Sequence, residues 1–247
     1  MTSREDVERL RRAQAKASEL AQADLTQFVR SLDLTRPEMV RDELIDFVPR
    51  LTSAYGDVAA TAAAEWYEAL RADAVSGAYT ANLGDVAATD QVVGSVRYAA
   101  GHLFTDNPLG VLALLNGAVQ RYVTYAGRMT VARNAEHDPA NPRFARVPRG
   151  AHTCAFCEML ASRGWVYRTE KTAGVDPSHY HDDCNCQIVP EWNKEQAHID
   201  GYDPNAMYAR YQAAADEVGN TRDPNAIAAA LRRMYPDLYT DGVIVAP

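Results

Sequence analysis

LGVLALLNGAVQRYVTYAGRMTVARNAEH, residues 109–137, decides how the rest of the chain is read. Its first part, PLGVLALLNGAV with the preceding proline, is the nearest approach to a membrane span. It is short and flanked by polar residues, whereas a span needs about 18–20 consecutive apolar residues. No span is expected. The stretch reads instead as a long helix of a folded protein, opened at Asn107-Pro108 with Asn107 as its N-cap.

The chain upstream is helical in the same sense. Val7, Leu10, Ala13, Ala17, Leu20 and Phe28 keep an approximate helical period among charges, which predicts a one-sided apolar stripe. Thr35-Arg36-Pro37-Glu38 predicts a second helix start. Thr35 would cap, Glu38 would complete a capping box, and Pro37 would sit in the first turn, where its missing N–H costs nothing. That helix is expected to run towards Val75 with a kink or break at Pro49. Gly77 to Gly84 reads as a turn-rich link, and DQVVGSVRYAAGHLF as a further helix. The N-terminus is densely charged and lacks the apolar core of a secretory signal.

Downstream, DPANPRFARVPRG (residues 138–150) is rich in breakers and reads as a loop or linker. GWVYRT and CQIVPEW are β-branched and aromatic and are expected to pair as short strands. The tail returns to helix: Asp203-Pro204 and Asp223-Pro224 repeat one start signal, an Asp cap followed by Pro at the first helical position. The fold class is therefore mainly α, with a small cysteine-rich α+β module of short β-hairpin elements in the C-terminal half. The expected division is a helical region over 1–137, a cysteine/histidine module with its linker over 138–192, and a helical tail over 193–247.

The 247 residues carry a net charge of −8, which argues against a protein that grips DNA through its whole surface. All four cysteines fall in one window, as Cys154-x2-Cys157 and Cys184-x-Cys186. In a chain expected to fold in a reducing cytoplasm, such clustering points to metal or chemistry rather than a disulfide framework. Two thiols three apart in a tight turn can converge on one point, and residues two apart in an extended segment share a face. Cys154, Cys157, Cys184 and Cys186 can thus close a tetrahedral zinc site. His181 and His179 offer alternative ligands, so a Cys3His set stays open, as do reduced, metal-free thiols and disulfides formed after release from the cell. A hydrolytic reading would place His179, His181, Asp182 and Asp183 around an open metal position. Against it, four thiols can saturate a metal and leave no position for an activated water.

CAFC, a Gly-containing turn, then His181-x2-Cys184-x-Cys186 and Val189-Pro190 resemble the C-terminal motif of Mu F-like minor head proteins of tailed bacteriophages, in the variant carried by phages of actinobacteria. Arg121, Arg128, Thr130 and Arg133 echo the helix that precedes the motif in that family. The resemblance covers roughly residues 115–192. Asp182 stands where the family has proline after the histidine, and Asn185 where it has arginine between the last cysteines; neither position would supply a ligand. The resemblance implies a non-enzymatic virion protein of the phage head, interior or portal-proximal, assembled in the host cytoplasm. It would contact portal or capsid proteins and assist head assembly, DNA packaging or DNA delivery; structural zinc is the expectation of the cysteine spacing itself, and a weak DNA contact stays open. The competing readings are a metal-dependent nuclease or other hydrolase, and a zinc-stapled nucleic-acid-binding module. For the last, Arg143, Arg146, Arg149, Arg163, Arg168 and Lys171 would supply a local positive surface.

Overall fold

The computed structural model describes residues 2–148, 153–175, 182, 184, 186–193 and 197–239. The helices are α1 (Arg4–Arg30), α2 (Pro37–Ala74), α3 (Thr89–Ala99), α4 (Gly110–His137), α5 (Ala155–Ala161), α6 (Pro204–Glu217) and α7 (Pro224–Met234). Short 3-10 turns follow α3 (Ala100–Phe104) and α7 (Pro236–Leu238), and the strands are β1 (Arg143–Val147) and β2 (Gln187–Glu191). The expected fold class, mainly helical with a small cysteine-bearing α+β part, is the one observed.

The apolar stretch that opened the reading is α4, and it is the central helix. Every residue from Tyr122 to Ala132 is buried, so burial runs round the helix and not along one stripe. Its first half packs with α1, α2 and α3 around Leu25, Leu44, Val96, Leu115 and Val119. Its second half joins a core that also holds Leu10, Tyr67, Phe144, Ile188 and the four cysteines. Close approach is required at Gly127, where a side chain would collide with the Gln14 amide of α1. Among the described residues no helix is long and apolar enough to cross a membrane.

Local details depart from expectation for identifiable reasons. Asn107 does not cap α4; the helix begins at Gly110, and only the Asn107 carbonyl takes part, accepting the Gly110 N–H at 3.1 Å. Thr35 does not cap α2 either. Its backbone N–H and hydroxyl both turn back to Asp33 Oδ1, at 3.1 and 2.7 Å, so the capping box does not form, although Pro37 does occupy the first turn. Pro49 neither breaks α2 nor ends it. An interior proline costs about 3 kcal/mol, while burial of Leu44, Val48 and Leu51 on the same helix returns about 1.5–3 kcal/mol each. In α1, Val7, Leu10 and Ala17 face the core as expected, but Ala13 and Leu20 are exposed. The stripe instead continues through Gln14, Ala21, Leu25 and Val29. Gln14 is buried because its Oε1 accepts from Gln187 Nε2 of β2 at 3.0 Å.

The largest correction concerns the linker. RFARV within 138–150 is strand β1, paired antiparallel with β2 in the register Phe144–Pro190, Ala145–Val189 and Arg146–Ile188. The segment GWVYRT supplies only a single bridge, from Tyr167 to Phe144. Breakers on both sides and two arginines inside masked the β pattern of RFARV. The tail follows expectation, with Asp203 and Asp223 each accepting backbone N–H groups at the starts of α6 and α7.

One buried ion pair fastens the end of α4 to α2. Asp138 Oδ2 accepts from Arg71 Nε at 2.9 Å, Tyr67 OH at 3.0 Å and Trp192 Nε1 at 3.2 Å, and its side chain is wholly inaccessible. Burial alone would raise this carboxyl. The Ala140 N–H, Arg71, Tyr67 and Trp192 together hold it below the ordinary carboxylate value. Its stabilisation is therefore complete above the unfolded-state pKa of about 3.9 and is lost as pH falls through the lower folded-state value. Asp138→Ala, which leaves Arg71 buried without its carboxylate, should cost about 3–5 kcal/mol in urea denaturation at pH 7. The gap between wild type and variant should narrow as pH falls through the lowered folded-state pKa of Asp138; a gap independent of pH would contradict this assignment.

Candidate metal centre

The first cysteine pair is positioned by α5. Cys154 is its N-cap, and Cys154 Sγ accepts the Cys157 N–H at 3.0 Å. So short a helix needs help at its far end. The hydroxyls of Tyr167 and Tyr202 donate to the Leu160 and Ala161 carbonyls at 2.7 and 2.6 Å. Glu158, almost fully buried, pairs with Arg210 Nε of α6 at 2.6 Å and ties the module to the tail. Cys184 and Cys186 stand immediately before β2.

All four thiols are buried and free of disulfides. Cys157 Sγ lies 3.4 Å from the sulfurs of both Cys184 and Cys186, and those two are 3.5 Å apart. The three form a nearly equilateral face that can hold a metal ion. Sulfurs around a tetrahedral zinc with bonds of about 2.3 Å would be about 3.8 Å apart, so the face is slightly tighter than a zinc-bound one. Cys154 hydrogen-bonds Cys184 but is not one of the three thiols whose sulfurs all lie within 4.8 Å of one another. That bond is the chief reason the Cys184 thiol is pulled down, to about 7. Cys157 is pushed up, first by its interaction with Cys154, with burial adding to the effect.

Two buried arginines bracket the C-x-C segment. From α4, Arg128 donates through Nε to the Cys186 carbonyl at 2.9 Å and through Nη2 to the Cys184 carbonyl at 2.6 Å. Its Nη1 reaches Thr124 Oγ1 at 3.2 Å. From β1, Arg146 places Nη2 3.0 Å from Cys186 Sγ and 3.4 Å from Cys157 Sγ, while Nη1 donates to the Ala173 and Gly174 carbonyls. Arg146 is fully buried, which removes it from the positive surface expected of a nucleic-acid module; a residue that water cannot reach cannot meet a phosphate. Arg163, Arg168 and Lys171 are exposed, and Arg149 lies outside the described residues.

Of the other residues singled out from the sequence, His179, His181 and Asp183 lie outside the described residues. Asp182 is ion-paired with Arg121 of α4 at 3.4 Å and sits where a side chain on Gly117 would collide with it. Arg133 pairs with Asp85 at 3.1 Å. Thr130 Oγ1 accepts the Gly84 N–H at 2.9 Å and so holds the link before α3 against α4. The arginine contacts to the cysteines were not anticipated. Their signal was present in Arg146, a charge set between Ala145 and Val147 in a segment with strand character.

These elements define a helical protein whose C-terminal half is organised on a buried cysteine cluster. The family model described as VG15 protein matches residues 1–214, and the chain belongs to the VG15 protein family. The Gene 15 protein of Mycobacterium phage D29 is 36% identical over 93 residues, which are 36% of this chain and 31% of that protein. The chain thus matches about a third of the length of this relative. The two matches indicate a phage protein. The family matched is VG15; the Mu F-like likeness rests on the cysteine motif. No solved structure matches the chain.

The Arg128 clamp accounts for how the C-x-C segment is fixed to the central helix. Arg128→Met keeps much of the apolar stem and removes the charged donors to two buried carbonyls. At about 1.5–3 kcal/mol for each charged hydrogen bond, the variant should lose about 3 kcal/mol or more in chemical denaturation. A loss below 1 kcal/mol would show that the clamp is not needed.

Proposed function

We propose that the protein is a structural minor head protein of a tailed phage, of the Mu F-like kind, and not an enzyme. In this reading it meets the portal or the inner capsid and assists head assembly, DNA packaging or DNA delivery. Structural zinc at the cysteine cluster fixes the C-terminal module. The observation that carries the reading is the burial of all four thiols, each at most 3% exposed, within the core shared with α1, α2 and α4. A catalytic metal keeps a position open to substrate, and a structural one is closed by protein ligands. The arrangement of thiols favours the closed kind. Membership of the VG15 family and the likeness to a mycobacteriophage protein support a place in the virion.

Two measurements test the reading. Mass spectrometry of purified particles from the parent phage should find the chain in heads at low copy number, and antibody labelling should place it at or inside the head. Its absence from particles would overturn the virion assignment. Metal analysis of the purified chain should give about one zinc per chain; no metal would remove the zinc staple.

A further inference from the structure

The cysteine cluster raises a question that the structural-zinc reading leaves open: which four groups close the site, and what balances its charge. Three thiols form one face, and a fourth donor is needed at the apex. Among the described residues Cys154 is the one remaining thiol, outside the group of three but close enough to Cys157 and Cys184 to swing in to the apex. Its sulfur accepts the Cys157 N–H at 3.0 Å and hydrogen-bonds the Cys184 thiol. The backbone N–H is a donor that a thiolate uses better than a neutral thiol does.

Charge adds an independent observation. Four thiolates around a divalent cation leave two negative charges in the core, and such charge is costly to bury unless it is paired. The matching cation is in place. Arg146 is completely buried and directs one amino group at two of the sulfurs, Cys186 and Cys157, while its other amino group meets the neutral Ala173 and Gly174 carbonyls. A guanidinium at this distance is a charged donor to thiolate sulfurs. Arg128 completes the arrangement by spending its donors on the backbone of Cys184 and Cys186, so that the two sulfurs face Arg146 and α5.

We infer that Cys154, Cys157, Cys184 and Cys186 form a four-thiolate zinc site whose buried counter-charge is Arg146. The inference rests on the structural-zinc reading, and its test separates the two. X-ray absorption at the zinc edge of the wild-type chain should show four sulfur neighbours at about 2.3 Å and none of the nitrogen at about 2.0–2.1 Å that an imidazole would contribute. His181→Ala should leave that spectrum and the zinc affinity unchanged. Cys154→Ser should lose one sulfur neighbour and at least tenfold in affinity, measured by competition with a chelator. Arg146→Met should lower zinc affinity about tenfold, and Arg146→Lys should retain part of it. If Arg146→Met does not fold, Arg146→Gln against Arg146→Lys makes the same comparison.

Three sulfurs and one nitrogen in the wild type, with the nitrogen lost in His181→Ala, would overturn the ligand assignment and leave structural zinc standing. Unchanged affinity on loss of the Arg146 charge would overturn its role as counter-charge. A wild-type chain that takes up neither zinc nor cobalt would remove the zinc reading itself, and this inference with it.

Discussion

The grip of Arg128 on the carbonyls of Cys184 and Cys186 is the contact on which the C-terminal half depends. It gives the central helix a charged fork aimed at one short segment. A buried guanidinium is tolerated only where its donors are satisfied, so the segment has little choice of position. Once it is fixed, β2 follows directly at Gln187, β1 pairs with β2, and Arg146 on β1 is carried to the sulfurs. The first cysteine pair then closes the cluster from α5. Helix, sheet and thiols thereby specify one another.

Much of this was legible in the sequence and some was not. The apolar run in α4 was recognisable as a core helix because no part of it was long enough for a membrane. Its Asn107 cap was misplaced because Pro108 and Leu109 form a turn before the helix begins. The proline-capped starts of α6 and α7 were readable, since an Asp side chain and a following Pro act within a few residues. The partner of β2 was not. Strand pairing is a long-range choice, and RFARV lies more than forty residues before its partner, between breakers that mimic a linker. The cysteines announced themselves through spacing alone, but the arginines that organise them did not. Arg146 reads as surface charge until the fold shows it at 0% exposure.

Burial also bears on function. The cluster shares one apolar core with Leu10 of α1, Tyr67 of α2 and Met129 of α4, so whatever holds the four sulfurs together also holds the module to the helices. The Arg71–Asp138 pair and the Glu158–Arg210 pair fasten the two edges of the same region, one to α2 and the other to the tail. A body tied together in this manner suits a component that must keep its shape while other proteins assemble on it, which is the role proposed from the phage relatives.

The central claim is that the cysteine cluster is the staple of this module. Hydrogen exchange of the purified chain, zinc-loaded and after chelation, tests it most directly. Chelation should speed exchange in β1, α5 and β2 while the amides of α2 between residues 51 and 70 keep their protection. Equal protection of β1, α5 and β2 in the two samples would contradict the claim.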